Sequence, residues 1–114
     1  MNKEKQNLYE GMYIISSKLS DEARSKALDK IKNGITSRNG EILKVHDQGN
    51  RRLAYDIEGH REGHYYVIYF TVSPDAISEL WRDYHLSEDL VRFITLCADE
   101  VNETLEFKTL AEQN

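Results

Sequence analysis

The sequence predicts an α+β domain in which four antiparallel strands carry two helices on one face, and three observations predict it. Two stretches place apolar residues at helical spacing behind a capping serine. Four other runs are rich in aromatic and β-branched residues. Two of those runs are consecutive and joined by a glycine-flanked bend, so the order is strand, helix, strand, strand, helix, strand.

Leu8 to Ser16 is the first strand, short, aromatic and β-branched. Ser20 then caps a helix whose first turn holds Asp21 and Glu22, where the helix dipole favours acids. Ala23, Ala27, Leu28, Ile31 and Ile35 form its apolar stripe, and Asn39-Gly40 stops it. Glu41 to Glu58 and Glu62 to Val72 are two extended runs about a bend at Gly59-His60-Arg61. Ser73-Pro74 opens a second helix, because proline at the first helical position forfeits no hydrogen bond there. Ala76, Ile77, Leu80, Trp81 and Tyr84 give that helix one apolar face, Leu86-Ser87 ends it, and Leu90 to Ala98 is the last strand.

This is the split βαβ or ferredoxin-like plan, with the first and third strands central and one sheet face free of helices. An unpaired charge should not lie beneath a helix, so charged residues indicate the open face of each strand. By that rule Glu10 places Leu8, Met12 and Ile14 on the open face, Arg92 places Leu90, Ile94 and Leu96 there, and Arg52 places Ala54 there. His64 extends the rule to Tyr66, Ile68 and Phe70. Tyr13, Ile15, Leu53, Tyr55, Ile57, Val67, Tyr69 and Phe93 are then expected under the helices. A contiguous apolar face of this kind is seldom left in water. A protein partner, a second copy, or the chain's own end folding back through Val101, Leu105 and Phe107 would cover it.

Composition bounds the function. The 114 residues suit one domain: residues 1–98 form the body, ordered from about residue 8, and residues 99–114 form an acidic tail. The tail carries a net charge of -4 out of -5 for the chain, which leaves the body close to neutral. A near-neutral body lacks the field with which a stand-alone nucleic-acid binder releases counterions, so any such contact is local or shared with a basic partner. No apolar run approaches the roughly 20 residues of a membrane span, the start Met1 to Gln6 is polar, and Cys97 is the only cysteine. These features point to a cytoplasmic protein away from membranes.

One stretch stands out: Gly49-Asn50-Arg51-Arg52-Leu53-Ala54-Tyr55-Asp56-Ile57, with two adjacent arginines that cannot both be buried cheaply. Set in this element order, and followed by Gly63-His64-Tyr65-Tyr66 and Leu90-Val91-Arg92, it resembles the signature of the bacterial small-subunit ribosomal protein six family. The resemblance covers about Leu8 to Ala98; Glu58 departs from it, and Asp56 is another acid in the same strand. It implies a ferredoxin-like structural protein without enzymatic activity, located in the small ribosomal subunit. Such proteins pair with small-subunit ribosomal protein eighteen and bind the central domain of the small-subunit ribosomal RNA as the platform assembles.

On that resemblance the RNA-binding candidates are Arg51, Arg52, Arg92 and Lys44, since an arginine fork can hold phosphate oxygens in two places. The candidate partner-protein interface is Glu10, Met12, Ile14, Tyr66, Ile68 and Phe70. The plain alternative reads Arg51 and Arg52 as solvated residues paired with Asp47 or Asp56, and Arg92 as a partner of Glu10. His60 and His64 flank a turn and make no metal pair, Cys97 reads as a small buried residue, and no phosphate-cradling glycine loop is present. No catalytic residue, metal, cofactor or small-molecule substrate is expected. A dimeric ferredoxin-like protein that binds or oxidises a small ligand, as a monooxygenase does, is the competing class, because this topology hosts many functions.

Overall fold

The computed structural model describes residues 5–103. Strand β1 (Asn7–Ser16), helix α1 (Asp21–Thr36), strands β2 (Glu41–Ile57) and β3 (His60–Val72), helix α2 (Ile77–Leu86) and strand β4 (Leu90–Cys97) follow in the expected order. All strand pairings are antiparallel and the sheet order is β2-β3-β1-β4, so β1 and β3 are central, as the ferredoxin-like plan requires. Ser20 caps α1 by accepting the Ala23 N–H at 3.1 Å, and Asn39 turns the chain out at φ 66°. Ser73 accepts the Asp75 N–H at 3.4 Å and opens a single 3-10 turn, Pro74–Ala76, which leads into α2.

The β2–β3 turn sits slightly earlier than the expected Gly59-His60-Arg61 bend. Ile57 pairs with His60, and the two residues between them, Glu58 and Gly59, have φ of 49° and 84°. Two left-handed residues match the right-handed twist of the strands they join. Glycine takes this conformation without strain and glutamate does not.

The helices cover Tyr9, Tyr13 and Ile15 of β1 and Tyr66, Ile68, Phe70 and Val72 of β3, packed with Ile31, Ile35, Leu80 and Tyr84. Tyr13, Ile15 and Phe93 thus lie on the expected side, and the β3 assignment is reversed. Tyr66, Ile68 and Phe70 belong to the helix-side core, whereas Tyr65, Val67 and Tyr69 share register with Ile14, Met12 and Glu10 on the other face. His64 misled the parity argument because it is buried with a partner. Its Nε2 lies 2.6 Å from Asp47 Oδ1 and its ring stacks on Tyr66 with centroids 4.7 Å apart. A satisfied polar group can lie at the margin of a core.

Three pairing irregularities in β2, at Ile42/Lys44, Asp47/Gly49 and Arg52/Ile57, break its alternation. The first two are one-residue slips, each of which exchanges the faces of the strand, and the third sets five residues of β2 against two of β3. Lys44 and His46 fall on the helix-free face opposite Tyr69 and Val67. Beyond Asp47 it is Arg51, opposite Gly63, that shares that register, while Arg52 faces Glu62. Leu53 and Ile57, expected under the helices, instead pack with Ile14 and Tyr65 in a second cluster on the helix-free face. Tyr55 is 55% exposed. Gly63 permits this packing, because a side chain there would collide with Ile14. In β4 a register shift at Ile14/Ile15 brings Leu90 to the helix side, and Cys97 is exposed rather than buried.

The helix-free face is therefore not bare. The end of the β2–β3 hairpin closes over Ile14 and Tyr65, and the segment after β4 returns across the sheet. Asn102 Nδ2 donates to Tyr69 Oη at 3.0 Å, the Asn102 carbonyl lies 2.8 Å from His46 Nε2, and Glu103 pairs with Lys44 at 3.2 Å. A return of the chain's own end was one of the expected covers, and Val101 is half-buried; Leu105, Phe107 and the rest of the tail lie outside the described residues. What stays open is the β4 side, where Glu10, Met12, Arg92 and Ile94 are half-buried and Leu96 is exposed.

Candidate nucleic-acid interface

Strand β1 ends its pairing with β3 at Ser16 opposite Gly63, so the hairpin from Arg52 to Glu62 continues beyond the last β1 pair as an arm whose Leu53 and Ile57 pack back on Ile14 and Tyr65. Arg51 and Arg52 stand at its base, both exposed. The backbone there is shaped by Asp47, whose Oδ1 accepts the Gly49 N–H at 2.9 Å while Gly49 takes φ 81°. That kink lets Arg51 Nε reach the Gln48 carbonyl at 2.9 Å, which directs one guanidinium edge inward.

The acids expected to pair with the arginines each contact another group. Asp47 is held by His64, Asp56 faces Arg61 at 3.9 Å, and the Glu62 carboxylate accepts from Asn50 Nδ2. Among the described residues Arg52 has no ion pair. Arg92 lies opposite Ile14, not locked to Glu10, and lines a groove along the β4 edge that also reaches Glu58.

The structure does not gather the four candidate cations into one patch. Arg92 lies in the cross-strand row of Ile14, Tyr65 and Gly49, near the arm end of the sheet. Lys44 lies in the row of Tyr69, Glu10 and Leu96, four β3 residues away and on the opposite edge strand, already paired with Glu103. At about 4.8 Å per strand, β2 and β4 are roughly 14 Å apart. Arg51 and Arg92 lie towards the arm end of the helix-free face, Arg52 has the opposite register, and Lys44 is a separate position.

A polar network on the helix side, which parity reasoning missed, supports the arm. Arg24 Nε donates to Tyr66 Oη at 3.2 Å, Tyr66 stacks on His64, and His64 meets Asp47 beside the Gly49 kink. Since a carboxylate only accepts, Nε2 carries the shared proton. Burial opposes charge on Asp47, but the bonds from His64 and Gly49 and the charges of His64 and Arg24 outweigh it and hold the carboxyl below its ordinary range. In the core, burial pushes the Tyr84 hydroxyl up to about 12, and Tyr13, 2.9 Å from it, is held well above its ordinary value by burial and by Tyr84. Neither phenol ionises near neutrality, so the pair is a structural bond.

Among the described residues no group of His, Cys, Asp and Glu could hold a metal ion, and no helix is long and apolar enough to cross a membrane. A groove of about 240 Å³ between α1 and α2 is floored by Ile15, Ile31, Leu80 and Tyr84.

Comparison with known proteins agrees with this architecture. A family model described as ribosomal protein S6 matches residues 8–96. The small ribosomal subunit protein bS6 of Protochlamydia amoebophila is 66% identical over 113 residues, covering 99% of each chain. That of Chlamydia muridarum is 62% identical over 112 residues, covering 98% of this chain and all of its own. The crystal structure of 30S ribosomal protein S6 from Thermotoga maritima superposes with a TM-score of 0.78 at 34% identity, over 82% of this chain and 89% of that one. The chain belongs to the ribosomal protein S6 family.

Proposed function

We propose that this chain binds small-subunit ribosomal RNA, in the central domain that forms the platform, through the base of the β2–β3 arm, and does so together with small-subunit ribosomal protein eighteen. As a member of the ribosomal protein S6 family it is a structural, non-enzymatic component of the small ribosomal subunit in the cytoplasm. The observation that carries the RNA reading is the exposure of Arg51 and Arg52 at the base of the β2–β3 arm, where Arg52 has no ion pair among the described residues. Two arginines and the half-buried Arg92 are a small electrostatic footprint, and the near-neutral body adds little to it. Most of the positive charge must then come from a second protein.

That protein is seated on the β4 side of the helix-free face. Glu10 and Met12 stay in this proposed interface, joined by Ile94 and the 53% exposed Leu96. Ile14 is sealed beneath Leu53 and Ile57, and Tyr66, Ile68 and Phe70 lie under the helices, so these four are no part of it.

Reconstitution of the full chain with protein eighteen and central-domain RNA tests the reading. Replacing Arg51 and Arg52 by alanine should weaken assembly at least about tenfold and flatten its salt dependence by roughly 0.7 to 0.9 for each phosphate no longer neutralised. An assembly yield equal to that of the parent chain removes both arginines from the interface.

A further inference from the structure

We infer that Tyr55 is a stacking platform for an unpaired RNA base delivered to the arm by Arg51 and Arg52; this rests on the RNA reading above and extends it to a named aromatic and a base. Tyr55 has the parity of Leu53 and Ile57, which are 7% and 8% exposed, and in a regular strand it would be buried beside them. The pairing slips between Arg52 and Ile57, and within that slip Tyr55 is turned out to 55% exposure. Among the described residues it has no hydrogen bond and no ring contact. The fold thus buries the aliphatic neighbours and presents the aromatic ring three residues from one arginine and four from the other.

Charge on the arm adds to the argument. From Arg51 to Glu62 three arginines face three acids, so beyond the local contacts of Arg51 and Arg52 the arm has no net charge to add to the hold on a polyanion. Stacking does not depend on net charge, accepts any base, and contributes substantially for each base engaged. Single-stranded loops and junctions offer unstacked bases of this kind, and their recognition commonly combines an aromatic face with guanidinium groups. The phenol edge remains in water while the ring face takes the base, which an aliphatic side chain cannot imitate.

The test uses the full chain with protein eighteen and central-domain small-subunit RNA, comparing Tyr55→Phe, Tyr55→Leu, Tyr55→Ala and Arg52→Ala. Stacking predicts that Tyr55→Phe binds RNA like the parent, and that both Tyr55→Leu and Tyr55→Ala lose roughly tenfold with an unchanged salt slope. Arg52→Ala should instead lower the slope. All four are expected to melt within a few degrees of the parent, because neither side chain is packed. If Tyr55→Ala binds as the parent does while Arg52→Ala is weakened, the stacking role is overturned and the RNA reading stands. A Tyr55→Ala chain that loses capture of protein eighteen in the absence of RNA also overturns it, by assigning the ring to protein contact. Failure of the parent chain itself to bind overturns the RNA reading and this inference together.

Discussion

His64 Nε2 and Asp47 Oδ1 meet at 2.6 Å between β3 and β2, on the sheet face that carries the helices. The same Asp47 carboxylate accepts the Gly49 N–H, so one acid both satisfies a buried imidazole and sets the kink from which the arginine arm departs. This pair is the physical link between the core and the candidate interface.

Acid should loosen that link in a defined direction. The folded protein holds Asp47 below its ordinary value of 3.8, so its contribution is complete above that pH and disappears as pH falls through the lower folded value. Urea midpoints for the parent and Asp47→Asn should therefore differ at pH 6 and converge towards pH 3. A difference that grows on acidification would contradict the depressed value.

Which face of β3 lies under the helices is open to a direct comparison. Ile68 is fully buried in the helix-side core, so Ile68→Ala should cost about 2–5 kcal/mol. Leu96, largely in solvent on the other face, should cost less than about 0.5 kcal/mol on the same change. Equal unfolding midpoints for the two variants would be incompatible with the architecture.

The Glu58 turn position is strained in a way that substitution can relieve. At φ 49° a glutamate β-carbon crowds its own backbone, whereas asparagine tolerates the left-handed region. Glu58→Asn should raise stability by up to about 1 kcal/mol, and Glu58→Val should lower it by at least as much. Thermal melts of the two variants would read the opposite signs directly.

The returning C-terminal segment should contribute through a single polar contact more than through its charges. Asn102→Ala removes the donor to the buried Tyr69 hydroxyl and should cost about 0.5–1.5 kcal/mol. Glu103→Gln breaks an exposed pair with Lys44 and should cost less than about 1 kcal/mol, vanishing in high salt. Hydrogen exchange in the Lys44–His46 part of β2 should accelerate in the first variant and hardly change in the second.

Much of this was legible because it is local. Ser20 and Ser73 announce helix starts through bonds to backbone groups two or three residues away, Asn39 announces a stop, and aromatic and β-branched runs announce strands. Arg51 and Arg52 were legible as exposed because no local arrangement hides two adjacent guanidinium groups. The β3 faces were not legible, since the acid that makes His64 acceptable in a core lies 17 residues away on another strand. Tyr55 was not legible either, because strict alternation along β2 is an assumption that its three irregularities break.

The amino-acid order alone determined six elements, their succession and hence the ferredoxin-like plan, since each follows from short-range propensity and from the few ways such a succession can pack. Only the tertiary structure decided which faces meet, that the hairpin end and the segment after β4 cover part of the helix-free face, and that Tyr55 stands in solvent. Those outcomes depend on cross-strand register, where a slip of one residue inverts every side chain, and register is set by contacts between residues far apart in the chain.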